Sequence, residues 1–436
     1  MTHQLQNLRN QAAKLRRLSQ PYFFPYTEDN GWQFLGLLVS LLFCVAGIVL
    51  FLVTGLMNGL SWLFPELSGQ YLGGVQSSLA MLWSRGWGAG ISALFVLGAV
   101  VFASVRGQLR HRRWLPWLFL GLIILMLLSV NGINAGITFL ARDLTNALIA
   151  RDGDASYRNL WIYGACFAVA LPIRSLQFYF TQKLGLFWRE WLSLSLVDDY
   201  LRDRAYYVLN PNDEAATNVD NPDQRISEDV RDFTAQALGF ALNIFDSILT
   251  FSLNILILYS VSEGLTFALL AYASGVSVLM IVAGRKLVRL NNFQLRFEAD
   301  YRYGLVRVRD NAESIAFYAG EQQEAKEVTR RLATVVENFN LLIVWEVLLR
   351  VLQRSSIYAS NFIPYLILAA PILAGEMDYG GFAQANVAYN LVEGSLFFII
   401  YNIEALARFS ASINRLEGFQ SNISNLDPEE WSDYMP

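Results

Sequence analysis

NAESIAFYAGE, residues 311–321, is a polar, glutamate-bearing segment set between long apolar blocks. Ile315, Ala316, Tyr318 and Ala319 make an apolar patch beside Glu313 and Glu321. Gly320 permits a tight turn after a short helix, because glycine carries no Cβ to restrict φ. A second polar segment, NPDQRISEDV at 221–230, interrupts the apolar blocks earlier in the chain. It opens on an Asn-Pro turn signal. Asp223 is then placed to cap a helix, with Ser227, Glu228 and Asp229 in its early turns. Taken singly, the first segment reads equally as a solvated helical hairpin and the second as a turn with a cap.

The blocks around these segments decide the class. The chain has 436 residues, 54% hydrophobic and only 16% charged, where soluble domains carry roughly 25% charge. Several apolar runs reach the ~20 residues that a helix needs to cross a hydrocarbon core of about 30 Å. The reading is an all-α, polytopic integral membrane protein. The net charge of −4 comes without a basic stripe, so nucleic acid is not an expected partner. Cys44 and Cys166 sit inside apolar runs, which implies neither a disulfide framework nor a metal cluster. His3 and His111 read as bystanders. The first 30 residues are polar and basic, unlike a secretory signal peptide.

Eight spans are expected, at about 32–60, 86–104, 114–140, 160–181, 235–261, 265–287, 341–373 and 382–406. Pro364 and Pro371 predict a kink or break in the seventh. The eighth carries Asn386, Asn390, Glu393, Asn402 and Glu404, and an amphipathic helix outside the membrane is its alternative. Arg9, Lys14, Arg16 and Arg17 before the first span, and Arg106, Arg110, Arg112 and Arg113 after the second, put those segments on the cytoplasmic side. Both termini then fall inside. Residues 4–17 have apolar positions at helical spacing. They read as an amphipathic elbow on the inner leaflet, or as a solvated helix, with 22–26 and Trp32 as an interface belt. The segments after spans four and six, each about 50 residues, keep helical periodicity and read as two helical arms. The segment 221–230 lies in the first and 311–321 in the second.

Paired on matching arms, the two motifs resemble the membrane domain of one branch of ABC transporters. That branch holds peroxisomal half-transporters, bacterial fused permease–ATPases and SbmA/BacA-type peptide transporters. The resemblance runs over roughly residues 20–420. It implies that 311–321 is the EAA-like coupling element, with Asn311, Glu313, Gly320 and Glu321 meeting a nucleotide-binding domain. It also implies that Asn221, Pro222, Asp223, Gln224, Glu228 and Asp229 are the signature of the first arm. By the same resemblance, 111–420 is a six-helix exporter-type core and 31–110 adds two helices. Residues 1–30 are then the elbow, 421–436 a tail, and 405–419 the stretch leading out of the last core helix. The resemblance further implies, as the working unit, a homodimer in a bacterial inner membrane that moves peptide or amphipathic cargo.

No G-x-x-x-x-G-K-[ST] occurs in these residues, so ATP and magnesium are expected on a partner or missing ATPase domain. LSGQ at 67–70 resembles a clipped ABC signature and reads as chance. Protease and hydrolase motifs are absent, and no enzyme activity is expected. Charge inside a span costs at least roughly 2.5–3.5 kcal/mol, so each such residue suggests a pathway or a pair. Candidates are Glu393, Asp246, Arg174 and Glu346, with Asn131, Asn134, Asn254 and Asn361 as polar lining. Glu346 and Arg350, at i and i+4, read alternatively as a local ion pair. Glu393, with no local partner, is the candidate proton carrier if the protein is an SbmA-like, gradient-driven peptide importer.

Overall fold

The computed structural model describes residues 2–24, 31–63, 80, 83–84, 86–105, 114–202, 205–208 and 221–424. Among these every regular element is helical. In chain order they are α1 (Thr2–Phe23), α2 (Gly31–Leu63), α3 (Trp87–Val105), α4 (Trp114–Ile149), α5 (Gly153–Leu201), α6 (Ala205–Val208), α7 (Pro222–Val261, including a π-helical turn), α8 (Glu263–Asp310), α9 (Ala312–Phe317), α10 (Glu321–Leu373), α11 (Tyr379–Tyr401) and α12 (Ile403–Ser424).

Three helices are far longer than a bilayer needs. α5, α8 and α10 have 49, 48 and 53 residues, about 72–80 Å at 1.5 Å per residue. A hydrocarbon core of about 30 Å takes up less than half of that length. α5, α8 and α10 therefore run without a break from the expected spans into the expected arms. α8 begins at Ser262, whose Oγ accepts a hydrogen bond from the Leu265 N–H at 3.2 Å, with Glu263 in its first turn and Arg307 and Arg309 in its last. Each charge has the sign that the helix dipole favours.

Among the described residues, six helices are long and apolar enough to cross a membrane: α2, α4, α5, α7, α8 and α10. The other two expected spans also form helices. The apolar stretch in α3 is Gly88–Ser104, shorter than a full span, and α11 falls outside the six. Gln384 and Glu393 on α11 are buried, together with Ala385, Ala388, Tyr389 and Val392. A helix that buries its polar groups against neighbours can be polar in sequence and still be packed among apolar helices. The expected eighth span does not continue to 406: it ends at Tyr401, and α12 starts anew at Ile403. The break expected in span seven is also absent, since α10 runs through Pro364 and Pro371 to Leu373.

The described chain divides into two units. The first comprises 1–140, 153–250 and 402–436. Its core joins Leu18, Phe23 and Phe24 from the N-terminal segment to Trp117 of α4, Trp188 of α5, Phe233 of α7 and Leu416 of α12. Tyr22 is buried and stacked on Trp188 at 6.0 Å, and the Trp117 Nε1–H donates to the Phe23 carbonyl at 2.9 Å. The C-terminal end of the expected elbow is therefore part of the core, Tyr22 included. Trp32 is exposed. α2 packs on α3 so closely that a Cβ at Gly98 would lie 2.7 Å from the Ser40 carbonyl, the small-residue packing that membrane helices favour.

The second unit comprises 141–152 and 251–401. Its centre is an apolar cluster of Leu258, Leu265, Leu269, Leu368, Tyr389 and Val392. α8 and α10 form a hairpin joined along its length by polar rungs. The Tyr272 hydroxyl donates to the Ser356 carbonyl at 2.6 Å. Asn338 Nδ2 donates to the Leu290 carbonyl at 3.1 Å and to Gln294 Oε1 at 2.8 Å. Arg331 Nη1 donates to the Asp300 carbonyl at 2.8 Å. Arg307 pairs with Glu324 near the end.

Candidate functional site

The hairpin closes through the 311–321 segment. Asn311 ends α8, its Nδ2 donating to the Arg307 carbonyl at 2.8 Å. The six residues of α9 follow, with Glu313 exposed in the first turn. Phe317 and Tyr318 are 83% and 79% exposed, edge to face at 5.2 Å. Glu321 then opens α10. The four expected coupling residues are thus brought together on one protruding tip. Phe317, which lay outside the expected apolar patch, is its most exposed large side chain.

The tight turn sits one residue earlier than expected. Ala319 takes the left-handed backbone (φ +49°), while Gly320 has an ordinary φ of −86°. A Cβ on Gly320 would be 3.8 Å from its nearest neighbour, the Ile315 carbonyl. Left-handed φ costs a non-glycine residue roughly 1–2 kcal/mol, partly offset by the greater unfolded-state freedom of glycine. Ala319→Gly should therefore raise stability by up to about 1 kcal/mol, and Gly320→Ala should stay within about 0.5 kcal/mol. Thermal unfolding in detergent reads both, and a loss of several degrees for Gly320→Ala would put the strain back at 320.

The 221–230 segment is divided between surface and interior. Asn221 holds the cap position with φ +50° and Pro222 is the first helical residue, so Asp223 lies in the first turn and is not the cap. Asp223, Gln224 and Glu228 are exposed, and Gln224 Nε2 donates to Glu228 Oε2 at 3.2 Å. The π-helical turn Arg225–Asp229 follows. Asp229 is 4% exposed and is held by two guanidinium groups. Arg225 Nη1 lies at 2.7 Å, and Arg415 of α12 forks onto both oxygens at 2.6 and 3.0 Å. Burial pushes the Asp229 carboxyl up, but the hydrogen bonds from Arg415 and Arg225 outweigh it and hold it below the usual range. The 225/229 spacing was readable as a helical ion pair. Arg415, 186 residues away, carried no local signal.

Two polar groupings lie within the spans. In the first unit, Asp246 of α7 accepts from Asn131 Nδ2 of α4 at 2.6 Å and faces Arg174 Nη2 of α5 at 3.6 Å. Thr250 Oγ1 donates to Asn131 Oδ1 at 2.7 Å. Asn131 is buried, Asn134 half-buried. In the second unit, Glu393 is 8% exposed, with Ser360 as a hydrogen-bond partner. Ser360 in turn bonds the Tyr389 hydroxyl at 2.8 Å. The Oε1 of Glu393 is buried without a hydrogen-bond partner among the described residues. Glu346 is half-buried and makes no ion pair with Arg350, which points outward beside Val347, Val351 and Arg354. The local pair expected from the i, i+4 spacing is thus absent. Asn361 is exposed. The side chain of Glu404, the arginines at 106–113 and the 67–70 segment lie outside the described residues.

A staple unmarked in the sequence ties the end of α4 to the link before α11. Asp378 accepts from Asn146 Nδ2 at 2.6 Å and from the Gly381 N–H at 2.7 Å, with Arg142 at 3.7 Å. The Gly380 N–H donates to Asn146 Oδ1 at 2.9 Å. A Cβ on Gly380 would sit 2.5 Å from the Arg142 carbonyl and from Asn146 Oδ1. Gly380→Ala should therefore cost about 1–3 kcal/mol, the usual range for overpacking. Gly264→Ala, with nothing within 4 Å, is the control. Equal melting temperatures for the two variants would show that the close approach is not tight.

The family description "ABC transporter transmembrane region 2" matches residues 108–373, more than half of the chain and including both motif segments. An uncharacterized ABC transporter ATP-binding protein of Synechocystis sp. is 43% identical over 409 residues, 93% of this chain and 61% of that protein. ABC transporter D family member 2, chloroplastic, of Arabidopsis thaliana is 32% identical over 306 residues, 70% of this chain and 43% of that protein. The lysosomal cobalamin transporter ABCD4 of Homo sapiens is 28% identical over 263 residues, 58% of this chain and 42% of that protein. The chain spans less than two thirds of the length of each. With six helices able to cross a bilayer, two long arms and a match that covers both motifs, this integral membrane protein belongs to the ABC transporter transmembrane region 2 family.

Proposed function

We propose that the chain is the permease part of an ABC-type transporter. It works as a homodimer whose pathway opens alternately to the two faces of a bacterial inner membrane, with both termini cytoplasmic. ATP is bound with magnesium, and hydrolysed, on a nucleotide-binding domain outside these 436 residues. The observation that carries this reading is the tip at 311–321, an exposed six-residue helix with two projecting aromatic side chains, held by helices of 48 and 53 residues. A tip of that kind presents a small apolar knob with an acidic edge to a partner groove. Displacement of the knob is carried along the arms to the spans. The cargo is a peptide or an amphipathic small molecule.

A second reading is a proton-driven peptide importer of the SbmA/BacA kind, which needs no ATPase. The buried Glu393, with one oxygen lacking a partner, favours it. One experiment separates the two. Peptide uptake into proteoliposomes is measured with an imposed proton gradient, and again with ATP and a cognate nucleotide-binding subunit. ATP-dependent uptake supports the permease reading. Gradient-driven uptake by the chain alone, abolished in Glu393→Gln, replaces it with the second.

A further inference from the structure

α12 is held on three sides by residues that fall on three of its faces. Phe409, Ile413, Leu416 and Phe419, at helical spacing, are buried in the first unit's core. Ser412 and Arg415, one turn apart, face the 221–230 segment. Arg415 forks onto the Asp229 carboxylate, and the Ser412 hydroxyl lies 3.5 Å from the Asp229 carbonyl. Asn414 and Glu417, again one turn apart, face α1. Glu417 pairs with Lys14 at 3.0 Å and Arg17 at 3.7 Å, and Asn414 accepts from Gln11 at 2.9 Å and Lys14 at 3.1 Å.

The apolar stripe alone would bury α12, but apolar side chains tolerate rolling and small axial shifts. A planar guanidinium forked onto a carboxylate does not, because both hydrogen bonds require one distance and one plane. Asp229 is also fixed from its own helix by Arg225, so neither oxygen is free to follow a shifted partner. The π-helical turn at Arg225–Asp229 lies where this carboxylate is aimed, and such turns are common at functional positions.

We propose that Asp229 and Arg415 form a rigid joint that makes α12 and the start of α7 move as one body. Asp229 is then a positioning residue. On the permease reading, on which this consequence rests, this ion pair holds the geometry by which a displacement of α12 reaches the transport helix α7, independently of the 311–321 tip. The NPDQRISEDV segment thereby has an internal role: its buried face grips α12, whatever its exposed residues touch.

The test uses the full chain in lipid nanodiscs, with Cys44 and Cys166 replaced and spin labels at Arg231→Cys on α7 and Ala411→Cys on α12. A single narrow interspin distance is expected. Asp229→Asn should at least double its width. Arg415→Lys, which keeps the charge but loses the fork, should fall between and remains informative if Asp229→Asn does not fold. An unchanged width in the folded variants overturns the joint. In the ATP-dependent uptake assay, Asp229→Asn should lower cargo moved per ATP at least fivefold with hydrolysis within twofold. Equal losses of both would mark a purely structural pair and overturn the transmission. If the unaltered chain moves no cargo with ATP, the permease reading falls, while the label widths still decide the joint.

Discussion

Replacing Phe317 and Tyr318 together by alanine is expected to cut ATP-driven uptake at least tenfold while leaving the melting temperature of the chain unchanged. The two halves of this expectation have one cause. Both rings project from the tip, at the end of α9 and just after it, with about four fifths of their surface exposed. Truncating them removes almost no packed contact within the chain, and such surface changes usually stay within about 0.5 kcal/mol. Exposed aromatic side chains on a protruding element are, however, the type that anchors an interface, where each truncation typically costs about 2 kcal/mol or more. Two such losses weaken docking by about a thousandfold if they add, enough to reduce uptake at any practical concentration of nucleotide-binding subunit. Glu313→Gln, at the rim of the same tip, should mainly slow association and change its salt dependence. Uptake and subunit binding measured on the same proteoliposome batches settle the matter. Undiminished uptake by the double variant would remove the tip from the coupling mechanism.

Asp246→Leu is expected to destabilise the membrane-embedded chain by about 2 kcal/mol, and Asp246→Leu with Arg174→Leu to recover most of that loss. Removing the carboxylate leaves Arg174 in a span without its counter-ion, where an unpaired charge costs roughly 2.5–3.5 kcal/mol. The lower figure reflects that the Arg174 side chain is 54% exposed and keeps Gln177 Oε1 at 3.0 Å. Replacing both partners removes the charge altogether, which is often neutral or stabilising for pairs inside proteins. Asn131 then loses an acceptor but keeps its bond to the Leu127 carbonyl and the Thr250 hydroxyl. Unfolding of the four variants of this cycle in detergent micelles gives the coupling energy. Normal uptake by the double variant would make the pair structural. Recovered stability with lost uptake would give Asp246 or Arg174 a place in the pathway.

Much of the architecture was legible because bilayers impose long apolar runs, and helix is the conformation that satisfies their backbone polar groups locally. The first span and the third to the seventh were found for that reason. The tip at 311–321 was legible as a polar interruption of such runs. What escaped was set by neighbours distant in sequence. α11 is polar in composition because Gln384 and Glu393 are buried within a unit, which hydropathy alone does not anticipate. Tyr22, read as part of an interface belt, is stacked on Trp188. Glu346 and Arg350 have the right spacing for a pair, yet their helix turns Arg350 outward. Arg415 pairs with Asp229 across 186 positions, and Asp378 with Asn146 across 232. Spacing says which side chains share a helix face, and only the fold says what that face meets.

The rungs of the α8–α10 hairpin work like the marks of a vernier. Tyr272, Gln294, Asp300 and Arg307 stand at uneven intervals, each bonded to a partner on α10. Sliding one helix past the other by a turn, about 5.4 Å, would break the two rungs that join side chain to side chain, Gln294 with Asn338 and Arg307 with Glu324. Shear thereby costs this pair of rods two side-chain rungs, and bending as a unit keeps them. From the Arg307 rung back to Tyr272 the hairpin measures about 50 Å. A ~3 Å push at the tip therefore reaches the other end as a tilt of only about 3–4°. A force applied at 311–321 arrives among the spans as an angle, with the register of the two helices preserved.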